Sequence, residues 1–228
     1  MFTDMATRKY RKKPRKYEKK RRAEQEAETR QRIVEAMVDL HRQVGPARTT
    51  ISAIAERAGV ERLTVYRHFP DETSMFQACT AHYATQVPWP DPEAWAGIEK
   101  PAKRLRGALL AFYDYYRRAE DVLAHAVRDV PQLPALAAVL SPWKEFVGRV
   151  REDLLEGWDV PGLARARLAV VVAHALRFET WRSFARAEGL EEAEAADLMV
   201  TFAQAAANLP AGLAARDAPV RRADARSV

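Results

Sequence analysis

Between residues 49 and 77 the chain carries side chains suited to reading a DNA duplex: Arg62, Leu63, Thr64, Tyr66, Arg67 and His68. An arginine fork matches guanine O6 and N7, a threonine offers a hydroxyl and a methyl, and a leucine can meet the thymine methyl. Arg62 and Thr64 are therefore the candidates for reading base edges, with Leu63 against thymine. Tyr66, Arg67 and His68 lie nearer the flanks, where phosphate contacts that position a protein are made. Arg48, Thr50 and Ser52, at the start of the preceding segment, complete the set of DNA-contacting candidates. Glu61 can accept from a cytosine amino group, or it merely favours the start of a helix.

Such side chains work only if one helix is held proud of the surface. The preceding residues supply the means. Thr50 can cap a short helix by accepting a backbone N–H. Ile51, Ile54, Ala55 and Ala58 then give that helix one apolar face, with Ala55 small enough for a close helix crossing. Gly59 suits the positive φ of a tight turn. Val65, six residues on, points back into the same junction. A small crossing residue, a left-handed turn and an apolar lock in this order make a helix-turn-helix. The alternative is an ordinary pair of core helices with Tyr66 and Phe69 as buried aromatics; the full constellation weighs against it.

The runs Ile54 to Val60 (IAERAGV) and Thr64 to Pro70 (TVYRHFP) resemble the DNA-binding domain of TetR-family transcriptional regulators. The resemblance covers about residues 29–80. It implies a three-helix DNA-binding domain, a connecting helix over about 71–86, a homodimer, and small ligands that act by changing the separation of two reading heads. Two positions depart from the family pattern. Glu72 stands where a phosphate-touching lysine is common, and Glu61 replaces a small polar residue at the start of the reading helix.

Charge is distributed unevenly. Residues 1–22 hold eleven Lys/Arg against Asp4 and Glu18; subtracting them from the 37 basic and 31 acidic residues of the chain leaves 26 and 29. The basic character therefore sits in one arm, read as residues 1–27 and expected to be disordered in the free protein because dense like charges repel. Beside a DNA-binding motif the arm suits phosphate neutralisation. The Glu- and Ala-containing stretch 18–28 also has the propensity to extend the following helix outward. No apolar run approaches the ~20 residues needed to span a bilayer, and no apolar segment follows the basic start as in a secretory signal. A lone cysteine, Cys79, permits no internal disulfide and fits a reducing cytoplasm, which is the expected location.

The hydrophobic period is helical throughout, so the fold is read as all-α: an N-terminal three-helix helix-turn-helix domain and a C-terminal helical ligand-binding and dimerisation domain. Ile33, Met37, Leu40 and Val44 with Ala36 form the stripe of the first helix, stopped by Gly45-Pro46. The domains are drawn at 28–86 for DNA binding, 87–98 for a Pro-rich linker, 99–209 for effector binding and dimerisation, and 210–228 for a frayed tail. In the second domain, helices are expected at 100–119, 121–129, 142–158, 161–188 and 190–208. The last two long helices carry Ala-rich apolar stripes (Leu168, Val171, Val172, Ala175, Leu176; Leu198, Val200, Phe202, Ala205) that suit close packing against a symmetry mate. Aromatic and polar residues, Phe112, Tyr116, His125, Trp143, Phe146, His174, Phe178 and Trp181, are the candidates for an effector site. His125 and Asp129 at i, i+4 make at most two ligands of a metal, so no metal or other cofactor is expected.

An enzyme is the first rival reading, but the sequence offers no Gly-rich phosphate loop, nucleophile elbow, HExxH helix or paired cysteines. The chain is read instead as a DNA-binding repressor of a palindromic operator, released by a small effector. The second rival is a constitutive architectural DNA-binding protein that relies on its basic arm and needs no effector. The large aromatic-rich C-terminal half argues against that simpler design.

Overall fold

A computed structural model describes residues 15–210, which include no strand. The expectations for residues 1–14 and 211–228 lie outside the described residues. Contacts divide the chain into two compact units. The first gathers the chain up to Thr85 together with Ala124–Val139; the second comprises Gln86–Leu123 and the chain from Leu140.

In the first unit, α1 runs over Arg15–Gln43, α2 over Ile51–Ala58, α3 over Arg62–His68 and α4 over Glu72–Gln86, its last residue belonging to the second unit. Helix α1 starts earlier than the arm boundary allows, so residues 15–27 are helical and continuous with the domain. The Glu and Ala residues after Arg22 explain this, because both sustain a helix. Ile33, Met37 and Leu40 are buried along one face of α1, while Val44, past the helix end, is exposed. Gly45 closes α1 with φ 89°, its N–H donating to the His41 carbonyl at 3.1 Å. A 3-10 turn, Pro46–Arg48, then leads to α2.

The second unit begins with residues expected to form only a linker. Its short helix α5, Glu93–Ala96, buries Trp95 to 3% exposure, which an open linker would not do. Helix α6 runs unbroken over Pro101–Asp129, where two helices were expected. Neither Glu120 nor Asp121 breaks a helix, so nothing divides it. Residues 124–129 of α6 cluster with the first unit, followed there by a 3-10 turn, Val130–Gln132, and α7, Pro134–Val139. The sequence had assigned this stretch to the effector domain.

Helices α8, Ser141–Leu155, α9, Gly162–Ala175, α10, Phe178–Arg182, and α11, Glu192–Asn208, complete the second unit. The single helix expected over 161–188 is interrupted after Ala175 and ends in a π-helical turn, Ser183–Ala187. No glycine or proline marks the break. Tertiary donors cause it: Tyr113 Oη donates to the Ala175 carbonyl at 3.1 Å, Tyr116 Oη to that of Leu176, and Thr180 Oγ1 to that of His174 at 2.6 Å. Those carbonyls no longer need amides four residues on. Helices α9 and α11 pack against one another, burying Leu168, Val172 and Ala175 of one and Ala195, Ala196, Met199, Ala203 and Ala206 of the other, so Leu168, Val172, Ala175 and Leu176, expected to meet a symmetry mate, are buried within one chain.

Candidate nucleic-acid interface

The geometry of α2 and α3 follows from three local devices. Thr50 Oγ1 accepts the Ala53 N–H at 3.1 Å and caps α2. Gly59 stands at φ 65°, ψ 43°, the left-handed region, and Val60 N–H reaches back to the Ala55 carbonyl at 2.9 Å. Ala55, Ala58 and Val65 are buried in the crossing, Val65 completely. Beyond α3, Phe69 is 1% exposed beneath the Arg30 guanidinium, whose carbon lies 4.8 Å from the ring centre. Asp71 then caps α4 by accepting the Ser74 N–H at 2.7 Å. Glu72 follows in the first turn, where a carboxylate suits the helix dipole.

With Val65 and Phe69 turned inward, the opposite face of α3 is presented to solvent. Leu63 is 78% exposed, a position that burial alone would never select for a leucine, and Arg62, Tyr66 and Arg67 are exposed beside it. Thr64 and His68 are half-buried. Partial burial holds the His68 imidazole below its usual pKa, assisted by Arg67 and Arg30 and opposed by Glu26. Arg48, Thr50 and Ser52 are exposed around the start of α2. Glu61 precedes α3 and makes no side-chain cap.

A second set of residues, missed at the level of sequence, braces this head. Within the first unit, the Asp129 carboxylate accepts the Ala47 N–H at 3.0 Å and a paired contact from Arg128, at 2.6 Å to Nε and 3.1 Å to Nη2. Arg128 Nη2 also donates to the Val44 carbonyl at 3.1 Å. The clamp thus fastens the end of α6 to the turn between α1 and α2. The Arg128 guanidinium and the Ala47 amide hold the Asp129 carboxyl below the ordinary carboxylate range despite its burial. Asp129 is thereby committed to structure, and no group of three metal-ligating side chains occurs among the described residues. Only the charge of Arg128 and the adjacency of Gly45 and Pro46 hinted at this in the sequence.

The effector-site candidates separate. Six of them share one network of ring contacts in the second unit. Phe112 stacks on Phe146 at 6.0 Å and 9°, and Trp143 joins both at 5.9 and 5.6 Å. Tyr116 meets Phe178 edge-on at 5.6 Å and Trp181 at 6.1 Å. Trp89, Trp95 and Tyr115 extend the network and were not among the candidates. The other two stand apart: His125 belongs to the first unit, and His174 is exposed on α9. Trp181 is fully buried, and its indole N–H meets no acceptor among the described residues. Burial pushes the Tyr113 and Tyr116 hydroxyls far above their ordinary range, so both remain neutral donors.

Comparison with known proteins places this head in context. Residues 33–79 match the family model described as bacterial regulatory proteins, tetR family. Among solved structures, the chain is similar to a TetR-like transcriptional regulator from Rhodococcus sp. RHA1, with 22% identity and a TM-score of 0.56 over 78% of this chain and 94% of that one. It is also similar to a tetR-family transcriptional regulator from Streptomyces coelicolor, at 21% identity and a TM-score of 0.55, covering 79% and 80%. A third is NalD, the secondary repressor of the MexAB-OprM multidrug efflux pump in Pseudomonas aeruginosa, at 18% identity and 0.51, covering 80% and 96%. At these identities the likeness is one of fold. No curated protein matches the chain.

Proposed function

We propose that the chain, whose residues 33–79 match the model of bacterial regulatory proteins of the tetR family, is a homodimeric repressor that binds a palindromic operator and leaves it when a small molecule binds. The observation that carries the reading is the exposed row Arg62, Leu63, Tyr66 and Arg67 on a helix locked from behind by Val65 and Phe69. A helix so presented enters the major groove with its first residues toward the bases. Arg62 and Thr64 read base edges, Leu63 meets a thymine methyl, and Tyr66, Arg67, Arg48, Thr50 and Ser52 hold phosphates. His68, half-buried beside them, contributes a further hydrogen bond.

Two further features support the rest of the reading. The outer faces of α9 and α11 display Leu163, Val170 and Phe202, with Val170 69% exposed, and Leu209 is exposed just past α11. Exposed apolar side chains on both helices suit an isologous pairing with a second copy of the chain. The aromatic network carries one buried indole N–H, on Trp181, that an apolar effector with a single acceptor would satisfy. Helix α6 holds both Phe112 and Tyr116 of that network and the Asp129 clamp of the head.

Selection of bound sequences from a random duplex library with the full-length protein tests the proposal. A palindrome is expected. Binding without any consensus, abolished as salt rises, would instead favour the architectural reading. On the recovered operator, Arg62→Ala should relax preference at one position per half-site and cost about 1–3 kcal/mol there. Loss of affinity equal across all sequences would demote Arg62 to a phosphate contact.

A further inference from the structure

Where α1 extends beyond the core, its inner face changes character. Ile33 and Met37 of that face are buried, Arg30 lies over Phe69, and Glu26 is close enough to His68 to act on its titration. These contacts bring α1 alongside the C-terminal end of α3. Continuing outward at helical spacing, the same face carries Arg22 and Lys19, both exposed. One turn of helix separates Arg22 from Glu26, so Arg22 lies about 6 Å and Lys19 about 10 Å farther out along the α1 axis than Glu26. Lys20 and Arg21 are exposed on the other sides, Lys20 paired with Glu24 at 3.7 Å.

Helix stability does not account for this charge. Cations near a helix N-terminus oppose the macrodipole, and a face meant to pack on protein would continue the apolar stripe. An anionic partner is what makes such a surface favourable. The geometry points to residues 19–22 of α1 as a second DNA-contacting element, a rigid basic helix whose Lys19 and Arg22 neutralise backbone phosphates bordering the groove that α3 enters. The inference rests on the operator-binding reading and adds to it a contact that α2 and α3 do not make. Because the element is helical and continuous with the domain, its reach is set by the helix and differs from that of a loose tail.

The test uses the full-length chain and the operator recovered by selection. Lys19→Gln with Arg22→Gln removes both charges while keeping good helix formers, and far-UV circular dichroism checks that helicity is retained. Lys144→Gln with Arg149→Gln removes the same charge from exposed positions on α8 and serves as the control. Plotting log K against log salt, the arm variant of a dimer should lose about 3 to 4 from the magnitude of the slope, roughly 0.9 for each of four phosphate contacts. Its selected consensus should match that of the unaltered protein, and the α8 variant should keep the original slope. An unchanged slope in the arm variant overturns the inference, as does an equal fall in both variants, which would mean that only net charge matters. A changed consensus overturns it too, because the two residues would then be reading bases. If the unaltered protein selects no sequence, the operator reading is what fails; a shallower slope for the arm variant on any duplex would still support the phosphate contact.

Discussion

Gly45→Ala should destabilise the first unit by about 2–4 kcal/mol and weaken DNA binding with it. Gly45 has φ 89° and ψ 161°, a region essentially closed to residues with a Cβ, and strain there costs about 1–3 kcal/mol. Space is short as well. An added Cβ would collide with Arg128 Nη2 and approach Asp129 Oδ2 at 2.7 Å and the His125 Cβ at 3.2 Å. Relief requires the Arg128–Asp129 pair to move, which disturbs the hydrogen bonds the pair gives to the Val44 carbonyl and takes from the Ala47 N–H, each worth about 1 kcal/mol. The turn would lose its brace, since the Gly45 carbonyl accepts from Thr49 Oγ1 at 2.9 Å and from Arg48 N–H at 3.3 Å. Urea denaturation followed by circular dichroism measures the effect. Gly59 provides the comparison, because its added Cβ would meet nothing nearer than Arg32 Nη1 at 3.9 Å. Only the left-handed strain of about 1–2 kcal/mol applies there. Equal losses at the two glycines would refute the role given to the clamp.

The second large effect is one of pH. His41 is 7% exposed, its Nδ1 3.2 Å from Cys79 Sγ and its ring 5.9 Å from that of Phe76. Burial lowers its pKa from 6.5 to about 4; Asp129 opposes the fall and His125 adds to it. Burial also pushes the Cys79 thiol up to about 12, so the pair is neutral at physiological pH. Above pH 6.5 the histidine is neutral whether the chain is folded or unfolded, and it adds no pH dependence. Below that value the unfolded chain takes up a proton that the folded chain refuses, so stability falls until the folded pKa near 4 is reached. The loss over that window is about 3 kcal/mol, at about 1.4 kcal/mol per pH unit. Asp129 acts in the same direction: its carboxyl is depressed in the fold, so its contribution is present above the unfolded carboxylate pKa and is lost as pH falls through the folded one. Urea unfolding at pH 7, 5.5 and 4 should show the decline, and His41→Leu should flatten it by about 3 kcal/mol. A variant that declines as steeply as the parent would remove His41 from the explanation.

What the sequence determined by itself is local. Gly59, Ala55, Val65 and the Thr50 cap act within sixteen residues, and the physical demands of a tight helix crossing name them without any distant partner. The exposure of Arg62, Leu63 and Tyr66 follows, because a helix of seven residues locked by Val65 has only one free face. The helical period of α1, α8 and α11 was legible for the same reason, whereas α4 followed only from the family resemblance. Tertiary structure decided whatever depends on groups far apart in the chain. The break after Ala175 exists because Tyr113 and Tyr116, about sixty residues earlier, take its carbonyls. Residues 124–139 join the first unit, and Asp129 among them meets an amide 82 positions away. Six of the eight effector-site candidates converge, whereas His125 and His174 do not, because a type and a helical spacing do not say which helices will meet. The basic arm lies between these cases. Its charge is plain in the sequence, but the direction of its Lys19–Arg22 face became definite only when Glu26 and Arg30 were found beside His68 and Phe69.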